Sequence, residues 1–376
     1  MHRISRWLYA MTLFVLFLPL PVRAAEPVTI AAVFSITGIA ASHNAPLLPV
    51  VRLAVDEINA GGGLLGQPVR LVFIDNKSSS LGSAAAAEES VRQGATAVIG
   101  ALWSSHSLAM APILQKAGMP MISPGSTNPE VTKIGDYIFR VCFIDSFQGR
   151  AMASFARSDL GARKAVIMTN IDEPYSIALA SYFRKGFTNL GGVILHESDY
   201  RGKSVDFSEN LAVLKELAPD AVYVPGYTRD SGLLIRQAAS SGIEGVFLGG
   251  DAWDEIYTVA GDALKGSYQS APWHSQAPYP QSRHLRELYR HVFKQEISST
   301  NAPLAYDAVM VLADAIARAG STDRRKIRDA VAASNFLGAT GVIAFDENGD
   351  PRDKEVVILR FDAKGISHYV KSIRPQ

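Results

Sequence analysis

The sequence predicts an α/β protein built as two Rossmann-like lobes, each a parallel sheet covered by helices. Three observations predict it. Short β-rich runs alternate with helix-period segments, the pattern of parallel strands joined by crossover helices. That alternation starts twice, at Val28 and again near Phe147. The chain has 376 residues, 48% of them hydrophobic, which suits two domains and excludes a disordered or fibrous polypeptide.

The N-terminus reads as an address. Arg3 and Arg6 precede an almost unbroken apolar stretch from Trp7 to Val22, and Val22-Arg23-Ala24 offers a cleavage site after Ala24. The stretch contains Pro19 and Pro21 and is short for a membrane span of roughly 20 residues. Residues 1–24 are therefore expected to be a signal peptide, leaving a soluble periplasmic protein with no stable membrane insertion. Loss of the three leader arginines turns 37 basic against 36 acidic residues, a net +1, into a net of −2. That balance argues against nucleic acid, which needs a basic surface. Cys142 is the single cysteine, so no internal disulfide and no cysteine-cluster zinc site can form.

In the first series, strands are expected at Val28–Phe34, Val69–Asp75, Ala97–Gly100 and Pro120–Ser123, with helices at Val51–Asn59, Gly82–Gln93 and Ser105–Ala117. In the second, strands at Ala165–Thr169, Gly192–His196, Ala221–Val224 and Val246–Leu248 alternate with helices at Ser176–Leu190, Phe207–Leu217 and Gly232–Ser241. Three more helices, Ser282–Lys294, Leu304–Ala319 and Arg324–Ala333, break the rhythm. A β-hairpin is expected to turn at Glu347-Asn348-Gly349-Asp350, where Asn-Gly suits positive φ.

Catalytic motifs find no support. Gly61-Gly62-Gly63-Leu64-Leu65-Gly66 contains GxGxxG, but it ends a helix and enters a strand, the reverse of a dinucleotide site. Ser104-Ser105-His106 are sequence neighbours, which rarely face each other as nucleophile and base. There is no GxSxG, P-loop or HExxH, and the histidines show no metal spacing, so no cofactor is expected.

The loops after strands carry more. Ligands of open α/β sheets bind beyond the carboxyl ends of the strands. There the first lobe supplies Ala101-Leu102-Trp103-Ser104-Ser105-His106-Ser107 and Pro124-Gly125-Ser126-Thr127-Asn128-Pro129-Glu130. Hydroxyls and free N–H groups at helix starts suit an anion. The second lobe supplies Asp172-Glu173-Pro174-Tyr175, Gly226-Tyr227-Thr228-Arg229-Asp230 and Gly249-Gly250-Asp251-Ala252-Trp253. Tyrosines and a carboxylate facing an anion site suit a small zwitterion.

At these residues the chain resembles the Leu/Ile/Val-binding family of type I periplasmic solute-binding proteins. The similarity also runs through Phe34-Ser35-Ile36-Thr37-Gly38, Ala54 to Gly66, Met121 to Glu130, Phe139-Arg140, Asp206-Phe207-Ser208 and Ala305-Tyr306-Asp307-Ala308. The resemblance implies a flytrap of two lobes joined by three crossovers near residues 143, 272 and 352. Lobe 1 would then be 25–143 with 273–352, and lobe 2 would be 144–272 with 353–376. It implies that Ser104, Ser126 and Thr127 hold a ligand carboxylate, and that Asp251, Tyr227 and Thr127 hold its ammonium. Tyr175 would line the cleft, His43 would meet the ligand side chain, and Trp103 and Trp253 would stand near the mouth. Ser105 and Gly125, in the same rim loops, complete the expected lining. Some relatives carry a disulfide where this chain has Ser78 and Trp103, and Asp251 stands where Glu is usual. The implied partners are a small amino acid-like solute and an ABC permease and ATPase complex, with the binding protein a monomer. Branched-chain, aromatic and polar amino acids, and related amides or carboxylates, stay open as ligands. A sensor of the same fold is the alternative, with an α/β enzyme behind it.

Overall fold

A computed structural model of the chain describes residues 27–243 and 245–375; the leader expected at 1–24 lies outside the described residues. Five strands, β1 (Val28–Phe34), β2 (Val69–Asp75), β3 (Ala97–Gly100), β4 (Met121–Ser123) and β5 (Ile138–Arg140), form one all-parallel sheet in the order β2-β1-β3-β4-β5. Every residue of β1 is buried, as a central strand covered on both faces must be. Helices α1 (Ala41–Asn44), α2 (Leu47–Ala60), α3 (Ser80–Arg92) and α4 (Ser104–Lys116) connect these strands. Gly62 and Gly63 have φ of 100° and 77°, so the GxGxxG segment is a left-handed exit from α2 into β2.

The chain then crosses to a second sheet through residues 141–144. Helices α5 (Asp145–Ser154), α6 (Pro174–Asn189), α7 (Ser208–Leu217), α8 (Thr228–Ser240) and α9 (Tyr257–Ala260) alternate with or follow strands β6 (Lys164–Asn170), β7 (Val193–Tyr200), β8 (Ala221–Val224), β9 (Val246–Gly249) and β10 (Tyr268–Ala271). Next the chain returns to the first lobe for α10 (Pro280–Phe293), α11 (Ala302–Ala319), α12 (Arg324–Ala332) and a hairpin of β11 (Asn335–Gly338) and β12 (Gly341–Ala344). It ends in the second sheet with β13 (Val356–Phe361) and β14 (Ser367–Ile373). That sheet runs β14-β13-β10-β9-β8-β6-β7, parallel except for its β10/β13/β14 edge.

The hairpin differs from expectation. It turns at Ala339-Thr340, because the buried Asp307 carboxylate accepts hydrogen bonds from Ala339 N (2.6 Å) and Thr340 N (2.8 Å). The Asn348-Gly349 segment is instead a tight loop closed by a Phe345–Pro351 bridge and docked on β5. There Asp350 pairs with the fully buried Arg140 at 2.5 Å, and Gly349 O accepts from Arg140 N. One apolar core, including Ile30, Ile99, Ile167, Leu312 and Ile358, continues through both lobes. Each outer face has a further cluster.

Candidate functional site

The loops that leave β3 and β4 face those that leave β6, β8 and β9. On the first side, Ser104 opens α4 and is 2% exposed; its Oγ accepts from Asn128 N at 3.2 Å. The unpaired N–H groups of a helix's first turn lie at the same place. Thr127 is fully buried, with its hydroxyl beside the Asp145 carboxyl. Ser126 is equally buried but committed elsewhere. Its Oγ lies 2.7 Å from Ser107 Oγ and donates to Ala101 O and Leu102 O, both at 3.1 Å, so it ties the two rim loops together beneath the cleft.

On the second side, Asp251 follows β9. Its Oδ1 accepts from Tyr175 Oη (3.0 Å) and Gln148 Nε2 (2.8 Å). Burial pushes this carboxyl up to about 6 despite those two donors. Gly250 leaves room for the arrangement, since a Cβ there would collide with the Tyr175 hydroxyl. Tyr227 precedes α8, is 6% exposed, and its hydroxyl has no partner.

Aromatic rings close the space between the lobes. Trp103 stacks on Tyr227 with ring centroids 3.7 Å apart and planes 11° off parallel, and Tyr175 stands 5.3 Å from Tyr227. Trp103 Nε1 donates to His43 Nδ1 at 2.8 Å. A neutral His43 therefore carries its proton on Nε2, which is buried without a partner, and burial lowers the pKa of the ring. His106 stacks on Trp103 at 5.4 Å, held near a pKa of about 4 by burial.

Two adjoining spaces result. The inner one, about 230 Å³ including space open to solvent, has Ser104, Gly125, Tyr175, Asp251 and Asn301 around it. The outer one, about 670 Å³ including space open to solvent, is bounded by Asn170, Glu173, Arg229 and Asp230. His43, Trp103 and Tyr227 form the wall common to both. Ser105 is half-buried and faces Glu173 across the gap; burial pushes the Glu173 carboxyl up to about 7.

One expected lining residue is elsewhere. Trp253 is fully buried in the core of lobe 2, packed on the bare face of Gly249, and does not reach the mouth. A large apolar ring gains more from that core than from a solvated rim. Three cleft residues carried no signal in the sequence. Asp145 and Gln148 lie on α5, and Asn301 precedes α11. The Asp145 carboxyl is buried beside the Thr127 hydroxyl; burial holds it well above the usual range against that hydroxyl's pull, with Asp251 adding to the rise. Asn301 Nδ2 donates to Asp251 O at 2.9 Å. An acid at the start of a helix reads as an ordinary first-turn residue, and only the crossover brings this one to the cleft.

Lobe-to-lobe ties are polar as well as aromatic. Asn128 Nδ2 donates to Pro174 O at 2.9 Å. Asp254 of lobe 2 accepts from Ser299 Oγ (2.5 Å), Thr300 N (3.0 Å), Thr300 Oγ1 (2.9 Å) and Asn301 Nδ2 (3.0 Å), all at the start of α11. Among the described residues, no group of three or more His, Cys, Asp or Glu could hold a metal ion.

Two α/β lobes with facing rim loops, and buried polar groups left without partners between them, define a bilobed solute-binding protein. A family model described as "Periplasmic binding protein" matches residues 27–365, and the chain belongs to that family. It is 28% identical over 351 residues to the leucine-, isoleucine-, valine-, threonine- and alanine-binding protein of Pseudomonas aeruginosa, with 93% of each chain covered. A leucine-binding protein from Thermotoga maritima superposes with a TM-score of 0.87 at 37% identity, covering 93% of this chain and 99% of that one. A branched-chain amino acid transporter substrate-binding protein from Streptococcus pneumoniae, solved with isoleucine, gives 0.88 at 29% identity, covering 93% and 100%.

Proposed function

We propose that the protein is exported to the periplasm, captures a small amino acid or amino acid-like solute between lobes 25–143/273–352 and 144–272/353–376, and presents it to an ABC permease and ATPase. The observation that carries this reading is the set of buried, unpartnered polar atoms converging on the inner space. His43 Nε2, Tyr227 Oη and Asn301 Oδ1 lack partners, and Asp251 lines the same space. Buried polar atoms without partners cost stability, so this set fits a ligand that supplies the missing bonds.

In this reading Ser104, Thr127 and the first N–H groups of α4 receive a carboxylate. Asp251, with Tyr227 and the Thr127 hydroxyl, receives an ammonium. Ser126 supports the floor through its ties to residues 101, 102 and 107. Closure over the ligand gives a shape that a permease can distinguish from the open form. The family relationship and the relatives' names support both the amino acid class and the transporter partner.

A thermal-shift panel of amino acids, short amides and small carboxylates tests this. A true ligand at 100 times Kd adds roughly 2.7 kcal/mol of stability. A panel with no shift would refute the assignment of substrate class.

A further inference from the structure

The outer space holds one carboxylate, Glu173, with the Ser105 hydroxyl beside it but no cation. Glu173 Oε2 is buried with no hydrogen-bond partner. The other acids nearby are already engaged. Asp230 accepts from Asn170 Nδ2 at 3.1 Å, Asp254 holds the start of α11, and Glu255 accepts from Ser298 Oγ at 3.2 Å. Asp172, beside Glu173 in sequence, pairs with Arg201 at 2.6 Å. The cation at the rim does not serve Glu173 either, since Arg229 Nη1 donates to Gly202 O at 3.2 Å and its side chain is exposed. One further atom on the shared wall that can accept a hydrogen bond, Tyr227 Oη, is buried and unpartnered, on a residue 6% exposed.

The wall itself is a pair of flat faces from opposite lobes. Trp103 and Tyr227 are nearly parallel and touch at 3.7 Å. Opening the lobes parts these faces, and a planar group entering between them keeps both contacts with the rings roughly 7 Å apart, two van der Waals separations. A guanidinium is planar, stacks on aromatic rings and matches a carboxylate with two parallel donors.

Resting on the amino acid reading above, we propose that the ligand is an amino acid whose side chain ends in a guanidinium. Asp251 and the α4 start hold the α-groups, Trp103 and Tyr227 clasp the side chain, and Glu173 receives the cation. The raised Glu173 carboxyl is what a buried acid awaiting a cation shows.

The test is calorimetric titration of the exported chain with L-arginine, L-citrulline and L-leucine. Citrulline keeps the flat end of arginine and removes its charge. Arginine should bind tighter than citrulline by roughly thirtyfold or more, the loss expected when one member of a buried charge pair goes. Glu173→Gln should bring arginine down to the citrulline level and leave citrulline within about twofold, since an uncharged end draws no Coulomb energy from the carboxylate. The wild-type comparison needs no variant, so it stands even if Glu173→Gln folds poorly. Citrulline binding as tightly as arginine overturns the inference, as does an unchanged arginine preference in the variant. Leucine binding with arginine silent overturns it too, and leaves the amino acid reading intact. If none of the three binds, and no other amino acid shifts melting, both fall.

Discussion

Asp251 is buried at the cleft, where an ionised carboxylate is costly without a cation beside it. Its carboxyl, near 3.9 in an unfolded chain, is raised to about 6 in the fold, with burial the largest cause. The favourable contribution of such a group is complete below pH 4 and is lost as pH rises through 6. At pH 7 the ionised side chain should therefore cost the empty protein about 3 kcal/mol. Asp251→Asn should stabilise the empty protein at pH 7, with the gain shrinking toward pH 4, in denaturant melts run across that range. The same variant should weaken an α-amino ligand by roughly 2–5 kcal/mol. A stability gap that does not change with pH would show that the carboxylate carries no burial penalty. Tyr175, Tyr227 and Asp251 were legible in the sequence because each stands just after a predicted strand of lobe 2. Asp145, Gln148 and Asn301 were not, because they start helices whose place at the cleft depends on the crossovers. Trp253 misled because its loop reaches the rim while its ring turns back into the core.

At the scale of elements, α11 depends on a residue outside its own lobe. Asp254 satisfies donors of Ser299, Thr300 and Asn301, the work of a helix cap done across the cleft. Asp254→Ala strands several buried donors and should lower the unfolding free energy by about 1–3 kcal/mol. It should also weaken ligand binding, because a tie of the closed form is gone. Denaturant melts and titration of one preparation check both, and an unchanged Kd would mean that the tie persists when the lobes part. The apolar runs set most elements well: β1, β2, β3 and β8 occupy the ranges read from their residues. Of the strands the sequence reading left out, β5, β10, β13 and β14, two have a local reason. β5 is three residues long, too short to show a period, and β10 reads Tyr-Gln-Ser-Ala, buried but half polar. The hairpin was misplaced because its turn is anchored by distant Asp307 and not by local Asn-Gly chemistry.

For the whole molecule, the two lobes share a continuous core near the crossovers and meet at the cleft through a few polar and aromatic contacts. Such a division favours rotation of lobes about short connections over local unfolding. The stacked pair also gives the protein an internal optical reporter. Among the described residues the chain has Trp103, Trp253 and Trp273. Trp253 is sealed in the core, and Trp273 is buried with its Nε1 donating to Ser282 Oγ at 2.9 Å. Of the three, Trp103 bridges the lobes, stacked against Tyr227 and His106. Indole emission excited in the ultraviolet should therefore change when a solute enters, and Trp103→Phe should leave that signal flat while the protein stays folded. Opening and closing could then be timed by stopped flow, on a native fluorophore that needs no attached dye.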